Sequence, residues 1–378
     1  LKPDKAAQSL IEGTMLALYE FEEYKKPAEK KIKEFAILEM NKRKIQRFNK
    51  GLESGMIRAQ AQNSARDFIN EPANNLTPKK LHRRLISIIR DMGLEKTIKL
   101  ECLARAQIKK LGMNALLSVT QGSDNEPQFI TLRIENARRP LVCLIGKTVT
   151  FDSGGISLKP SAGMDRMKGD MSGGAAVIGA TLALAKTKST INLMTIIPAV
   201  ENMPSGKASR PGDVVRAMNG KTIEIISTDA EGRMTLADAI CYAEKKKAQI
   251  VIDIATLTGG CVVALGDITA AVMGNNQKLI DSLLDVSKQT GEKIWQLPLF
   301  EEYKNQIKSD IADMKNSGGR KASTITAGLF LQSFVDKAKW LHIDMAGKEI
   351  AEKKNFYTPV GGTGFGVRTL FEFLQKIT

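Results

Sequence analysis

The sequence predicts an α/β protein with a mostly parallel central sheet and helices on both faces. Three observations lead to this. Apolar runs of strand length at 141–145, 191–200, 222–226, 249–255 and 340–345 are separated by helix-patterned segments at 171–186, 236–247, 276–290 and 369–376. That alternation from about Val142 onward is the pattern of a doubly covered sheet. Polar, glycine-rich loops also follow the strands directly, as expected at the ligand-facing edge of a parallel sheet.

The front of the chain differs. It offers one apolar-periodic helix at 6–19, a charged loop, a short apolar run at 35–38, and the basic group Lys42-Arg43-Lys44. A further helix is expected over 51–67. Behind the strand at 141–145 come Gly146-Lys147, Phe151-Asp152-Ser153-Gly154-Gly155, Lys159-Pro160 and Met167-Lys168-Gly169-Asp170. Lys147, Asp152, Lys159 and Asp170 thus share one long loop, and such loops in compact domains usually carry function. Gly169-Asp170-Met171-Ser172-Gly173-Gly174 lacks the Gly-Lys-Ser/Thr ending of a phosphate loop, so it reads as the start of a packed helix.

A second cluster, Ser227-Thr228-Asp229-Ala230-Glu231-Gly232-Arg233, follows the run at 223–226. Read as an extended segment, it turns Asp229, Glu231 and Arg233 to one side. Two acids that close repel unless a cation lies between them. The two clusters together supply four carboxylates and two lysines, with no histidine or cysteine. Such donors suit magnesium, manganese or zinc. Four carboxylates exceed the needs of one ion, so a two-metal site is expected. Thr256-Leu257-Thr258-Gly259-Gly260, after the strand ending at Ala255, belongs at the same edge of the sheet.

These blocks resemble the signatures of the leucyl aminopeptidase family, the two-metal exopeptidases known as cytosol aminopeptidases. The likeness runs from about Ser64 to the C-terminus. It includes Glu201-Asn202-Met203-Pro204-Ser205-Gly206, Pro211-Gly212-Asp213-Val214-Val215-Arg216 and Gly362-Thr363-Gly364-Phe365-Gly366-Val367-Arg368. Alone, each block reads as a turn; their shared order is what carries the resemblance.

The resemblance implies that Asp152 and Glu231 bridge two divalent ions, zinc or manganese, with magnesium or cobalt as further options. Asp229 would complete the tightly held ion, and Lys147 and Asp170 the more exchangeable one. Lys159 and Arg233 would be the catalytic pair that binds no metal, with bicarbonate at Arg233 as general base. Met167, Thr256, Leu257, Gly259 and Ala346 would line the pocket for the first substrate side chain. A lysine ligates only as the neutral amine, so Lys147 is expected to lose its proton near neutrality through burial and an adjacent dication. Peptide substrates with a leucine-type preference, a homohexamer and a cytoplasmic location are also implied. By the same likeness, residues 1–50 are a remnant of a smaller α/β N-terminal domain, 51–67 a linking helix and 68–378 the catalytic domain. Leu1 in place of Met is read as a truncation.

Two departures stand out. Thr148 occupies a place where the family has glycine, and a strained backbone is expected there. Lys348 and Glu349, in Ala346-Gly347-Lys348-Glu349-Ile350, stand where small or apolar residues are usual. They are expected to shift preference away from purely aliphatic N-terminal residues. Ser227 and Met234 are milder changes.

The net charge of +15 raises a second reading, a DNA-binding regulatory role on the same scaffold, added or substituted. The basic groups are scattered, however, and aromatics, at 5%, are too scarce to interleave with them. No run approaches the roughly 18 apolar residues of a membrane-spanning helix. Cys102, Cys143, Cys241 and Cys261 lack paired metal-ligand spacing, and three lie in apolar stretches, so core positions in a reducing compartment are expected. His82 reads as a helix-surface residue and His342 as a structural one.

Overall fold

A nine-stranded mixed sheet organises the chain in a computed structural model that describes residues 2–26, 32 and 34–377. Its strands are β1 (Lys99–Leu103), β2 (Gln128–Ile134), β3 (Leu141–Gly146), β4 (Thr148–Asp152) and β5 (Asn192–Asn202), then β8 (Ile250–Ala255), β9 (Ala270–Gly274), β10 (Ile294–Gln296) and β12 (Lys339–Asp344). They lie in the order β1-β2-β5-β3-β8-β12-β9-β10, with β4 also on β5. The central strands β5, β3, β8 and β12 are mutually parallel. The flanks are not: β2 runs antiparallel to β5 and β1, and β9 antiparallel to β12.

A small sheet holds β6 (Val214–Arg216), β7 (Thr222–Glu224) and β11 (Met314–Lys315), and a hairpin holds β13 (Ile350–Ala351) and β14 (Gly361–Gly362). The run at 222–226 therefore belongs to the small sheet and not to the central one. It is too short and too exposed to be a central strand; Ile223 is buried, but Ile226 is 40% exposed.

The expected covering of both faces is present. Along β3, Val142 and Leu144 enter one core, while Cys143 and Ile145 enter the other. The first core is closed by α2 (Ile45–Asn70), α3 (Pro78–Asp91), α6 (Ser172–Lys186), α9 (Gln277–Thr290) and α11 (Val367–Ile377). The second is closed by α4 (Arg105–Lys110), α5 (Asn114–Val119), α7 (Glu231–Lys245) and α10 (Ser323–Gln332). This alternation follows from the two-residue period of a strand. All four cysteines are free, and Cys143, Cys241 and Cys261 are buried, as expected for small core residues.

The helix expected at 6–19 is α1 (Pro3–Ala17), and the one at 51–67 is the interior of the longer α2. The run at 35–38 forms no regular element, with Leu38 85% exposed, and the charged loop before it lies partly outside the described residues. The helix expected from Leu236 begins five residues earlier, at Glu231.

The front of the chain is tied to its end. Buried Arg66 on α2 donates to the carbonyls of Leu16 (2.8 Å), Thr363 (3.0 Å) and Tyr357 (3.0 Å). Arg368 on α11 pairs with Glu12 on α1 at 3.0 Å.

Two details position the site. β4 continues β3 along β5 with the register unchanged across Lys147, from Ile145↔Ile196 to Thr148↔Ala199. Gly146 and Lys147 lie between the two paired stretches; the Lys147 N–H bonds Ile254 O and its carbonyl accepts from Gly174 N. The strain expected at Thr148 is not found. The residue is extended, its hydroxyl donates to Gly146 O at 2.8 Å, and room for it comes from the missing Cβ of Gly174.

Asp238 on α7 anchors α5 and the β6–β7 turn. Its carboxylate accepts from Leu116 N (2.9 Å) and Met218 N (2.8 Å). Asp238→Ala strands both donors and is expected to cost about 2–4 kcal/mol of stability. Urea unfolding checks this; an unshifted midpoint would refute it.

Candidate metal centre

The charged residues gather at the carboxyl ends of the parallel strands. Lys147 follows β3, Asp152 ends β4, Asn202 ends β5, Thr256 follows β8, and Asp344 ends β12. This is the edge where ligands bind in open parallel sheets. Lys147 is buried with its Nζ 2.8 Å from Asp170 Oδ1 and 2.7 Å from Glu231 Oε1, and it donates to Thr256 O at 2.8 Å. Its stem passes over Gly232, where a Cβ would fall 2.5 Å from Lys147 Cε. Thr256 also donates its hydroxyl to Asp170 Oδ1 at 2.7 Å.

The loop after β4 turns through two glycines with positive φ, Gly154 at +87° and Gly155 at +68°, a conformation glycine adopts without strain. This wraps the chain so that Asp152 accepts from Gly154 N (2.9 Å) and Asn202 Nδ2 (2.8 Å). It also brings Lys159 back, with its Nζ 2.8 Å from Asp152 Oδ2 and in contact with Asp229.

Asp152, Asp229 and Glu231 offer one oxygen each, all within 4.8 Å of one another. The segment that supplies Asp229 and Glu231 is not extended, however. It is a turn entering α7, and Glu231 is the first residue of that helix. Helical residues two apart point about 200° away from each other. Glu231 accordingly faces Lys147, while Arg233 turns to donate to Asn316 O at 2.7 Å. Arg233 does not join the carboxylate cluster through a common strand face.

The expected pocket residues separate. Thr256 sits inside the charged site. Leu257 N donates to Asp344 Oδ1 at 3.1 Å, as does Ala346 N at 3.2 Å. Gly259 is exposed at the start of α8 (Gly259–Leu265), and Met167 is half-buried on a cleft it shares with the 347–350 loop. Asn202, Asn316 and Asp344 escaped the sequence reading. Asn202 clamps Asp152 to Thr228 O, and Asn316 accepts from Ile226 N and donates to Ser227 O. The available signal was position, since Asn202 and Asp344 end parallel strands. His342 is structural; its Nδ1 lies 2.5 Å from buried Asp253.

Electrostatics follow from burial and crowding. Burial raises the pKa of Asp152, and Glu231 adds to the rise against the pull of Lys159 and Lys147. Burial lifts Asp170 well above the usual range, and Asp229 rises for the same reason. Burial opposes the charge of Lys147, but Asp170, Glu231 and Asp152 outweigh it and raise its pKa. Without a cation the carboxylates therefore hold the Lys147 proton on, and the neutral amine expected from burial and an adjacent dication requires that dication. Arg233 is lowered by burial to about 10.

The donor set fits divalent cations. Besides the three-carboxylate cluster, Asp170 Oδ2 and Glu231 Oε2 are buried without hydrogen-bond partners, and buried carboxylate oxygens normally have one.

Residues 63–371 match the cytosol aminopeptidase family, catalytic domain. The chain belongs to this family. It is 44% identical over 383 residues to a probable cytosol aminopeptidase of Alkaliphilus metalliredigens, covering 100% of this chain and 76% of the relative. It is 47% identical over 376 residues to one from Persephonella marina, covering 98% and 74%. A solved structure of the bottromycin maturation enzyme BotP in complex with Mn superposes with a TM-score of 0.92 at 36% identity, over 99% of this chain and 80% of that one. The chain is thus a leucyl-aminopeptidase-type hydrolase of a metal-dependent family, with the family's α/β catalytic fold. Among the described residues no helix is long and apolar enough to cross a membrane.

Asp152, Asp170 and Asp229 all bind protons more tightly in the folded chain than at their ordinary 3.8. Their charges oppose folding above that ordinary value, and the opposition is relieved as pH falls through the raised folded values. A dication competes with those protons, so its affinity should fall with pH. Manganese added at about 100 times its Kd to chelator-treated protein is expected to stabilise by about 2.7 kcal/mol, seen as a raised thermal midpoint. The rise should shrink as pH is lowered and be smaller in Asp229→Ala. A midpoint that ignores manganese at every pH would rule out the cation site.

Proposed function

We propose that the chain releases N-terminal residues from peptides, leucine-type side chains among them, by water attack on the first peptide bond at a two-metal centre. The observation that carries this is the cluster of Asp152, Asp229 and Glu231 beside the unpartnered oxygens of Asp170 and Glu231. Asp152 and Glu231 would be shared between the two ions. Asp229 would complete one set, and Lys147 and Asp170 the other. Zinc and manganese are the first ions to test, the latter because BotP is solved in complex with Mn; magnesium and cobalt follow. Bound there, two dications acidify a water and polarise a carbonyl.

The chain's own groups supply the remaining chemistry. Lys159 stays charged because Asp152, Glu231 and Asp229 raise its pKa against the cost of burial. Its ammonium, partly open to solvent between Asp152 and Asp229, suits the oxyanion that forms on the scissile carbonyl. Arg233, anchored to Asn316 O, keeps its Nε without a partner, and its planar fork matches bicarbonate, which would take the proton of the attacking water. Asp170 Oδ2 is available to the free amine of the substrate, which would limit cleavage to the first residue. Met167, Thr256, Leu257, Gly259 and Ala346 are the pocket this reading assigns to that residue's side chain. Homohexameric assembly, a cytoplasmic location and a catalytic domain spanning 68–378 belong to the same reading and rest on family membership.

Hydrolysis of Leu-p-nitroanilide after chelation, then with manganese, zinc or cobalt restored, tests the reading. Turnover that returns with metal and is lost in Asp229→Ala is expected; an inactive but folded protein under every metal would refute it. Lys159→Gln is expected to lower kcat by about 10²–10³, with KM within a few-fold, because the oxyanion charge exists only in the transition state. Steady-state kinetics decide; a change confined to KM would assign Lys159 to substrate binding instead.

A further inference from the structure

A cleft of about 1090 Å³ runs alongside the turn that carries Asp170. Arg166 and Met167 of that turn line one side, and Lys348, Glu349 and Ile350 the other. Most charged groups on its walls are already satisfied. Arg166 pairs with Glu352, and Arg368 with Glu12. Lys348 is buried, its Nζ donating to Gly266 O (2.6 Å) and Ala346 O (2.8 Å), so its charge is turned into the protein. Glu349 is different. Its Oε2 is buried and has no hydrogen-bond partner. Its stem packs beside the residue preceding Asp170; a Cβ added at Gly169 would lie 3.6 Å from Glu349 Cγ. Burial raises its carboxyl above the usual range, with the backbone N–H groups of Glu349 and Gly347, and then Lys348, only partly offsetting this.

We propose that Glu349 is a specificity-determining residue, receiving the cationic end of a lysine or arginine at the N-terminus of the substrate. This rests on the aminopeptidase reading. The aliphatic stem of such a side chain lies along the apolar wall formed by Met167 and Ile350, where a leucine would also lie. Its ammonium or guanidinium supplies the donor that the carboxylate lacks, as a charge-assisted hydrogen bond. A site with a buried polar group discriminates against substrates that leave the group unpaired. Of the two charged departures at 348–349, only the acid keeps an atom without a partner, which fixes the sign of the preference.

The test compares kcat/KM for Leu-, Lys- and Arg-p-nitroanilide on the metal-loaded wild type, Glu349→Met, Glu349→Gln and Glu349→Asp. The wild type is expected to cleave the Lys and Arg substrates at least as well as the Leu substrate. The Arg-to-Leu ratio is expected to fall by about tenfold or more in Glu349→Met and Glu349→Gln, the usual size of losing a polar contact in a specificity pocket. Glu349→Asp should recover part of it. Turnover of the Leu substrate with an Arg-to-Leu ratio within about twofold of wild type in both neutral variants overturns the assignment, since no polar contact is then being lost. If the wild type cleaves none of the three, the aminopeptidase reading falls, and this assignment with it.

Discussion

The ammonium of Lys147, held between Asp170 and Glu231 and capped by Thr256 O, is the contact around which the site is built. It joins four separate pieces of chain: the break between β3 and β4, the turn before α6, the first turn of α7 and the segment after β8. Burying these charges is expensive, and removing one partner from such a group typically costs about 3–5 kcal/mol. The surroundings are shaped to keep the geometry. Gly232 leaves space for the lysine stem, and the Lys147 backbone is pinned by Ile254 and Gly174 while β4 starts in the register of β3. A neutral side chain at 147 would leave two acids facing each other in a dry site.

The sheet explains why the residues meet. Each of the four central parallel strands, with β4, delivers a polar residue at its carboxyl end, and neighbouring strands set those residues side by side. Asn202 and Asp344 act through others. Asn202 holds Asp152 to the Thr228 turn, and Asp344 gathers the N–H groups of Leu257, Thr258 and Ala346. The antiparallel flanking strands contribute none of the charged residues of the centre.

Much of this was legible in the sequence. The central strands announced themselves as short apolar runs because both their faces are covered; Lys147, Asp152, Lys159 and Asp170 stood out as charges in the loop behind one of them, and Asp229 and Glu231 behind a strand of the small sheet. Three features were not legible. The flanking strands β1 and β2 are partly polar and pair antiparallel, so the helix–strand alternation does not reveal them. The segment at 229–233 looked extended because its charges alternate, but the helix start at Glu231 depends on tertiary packing that overrides so short a pattern. The surroundings of Lys147 were the third, because burial can be read from sequence, whereas the three opposing carboxylates converge only in the fold.

Arg368, Tyr357 and Gln62 line the cleft, and their bonding network leads away from it. Gln62 and Arg66 share the carbonyl of Thr363, Arg66 reaches Leu16, and Arg368 reaches Glu12. The first helix therefore behaves as a tethered ligand of the cleft wall, present at high effective concentration because it is on the same chain. Its docking equilibrium and the shape of the cleft are thermodynamically linked. Loosening the first helix would release Arg368 in the cleft wall, some 350 residues further along the chain, without touching the carboxylate cluster.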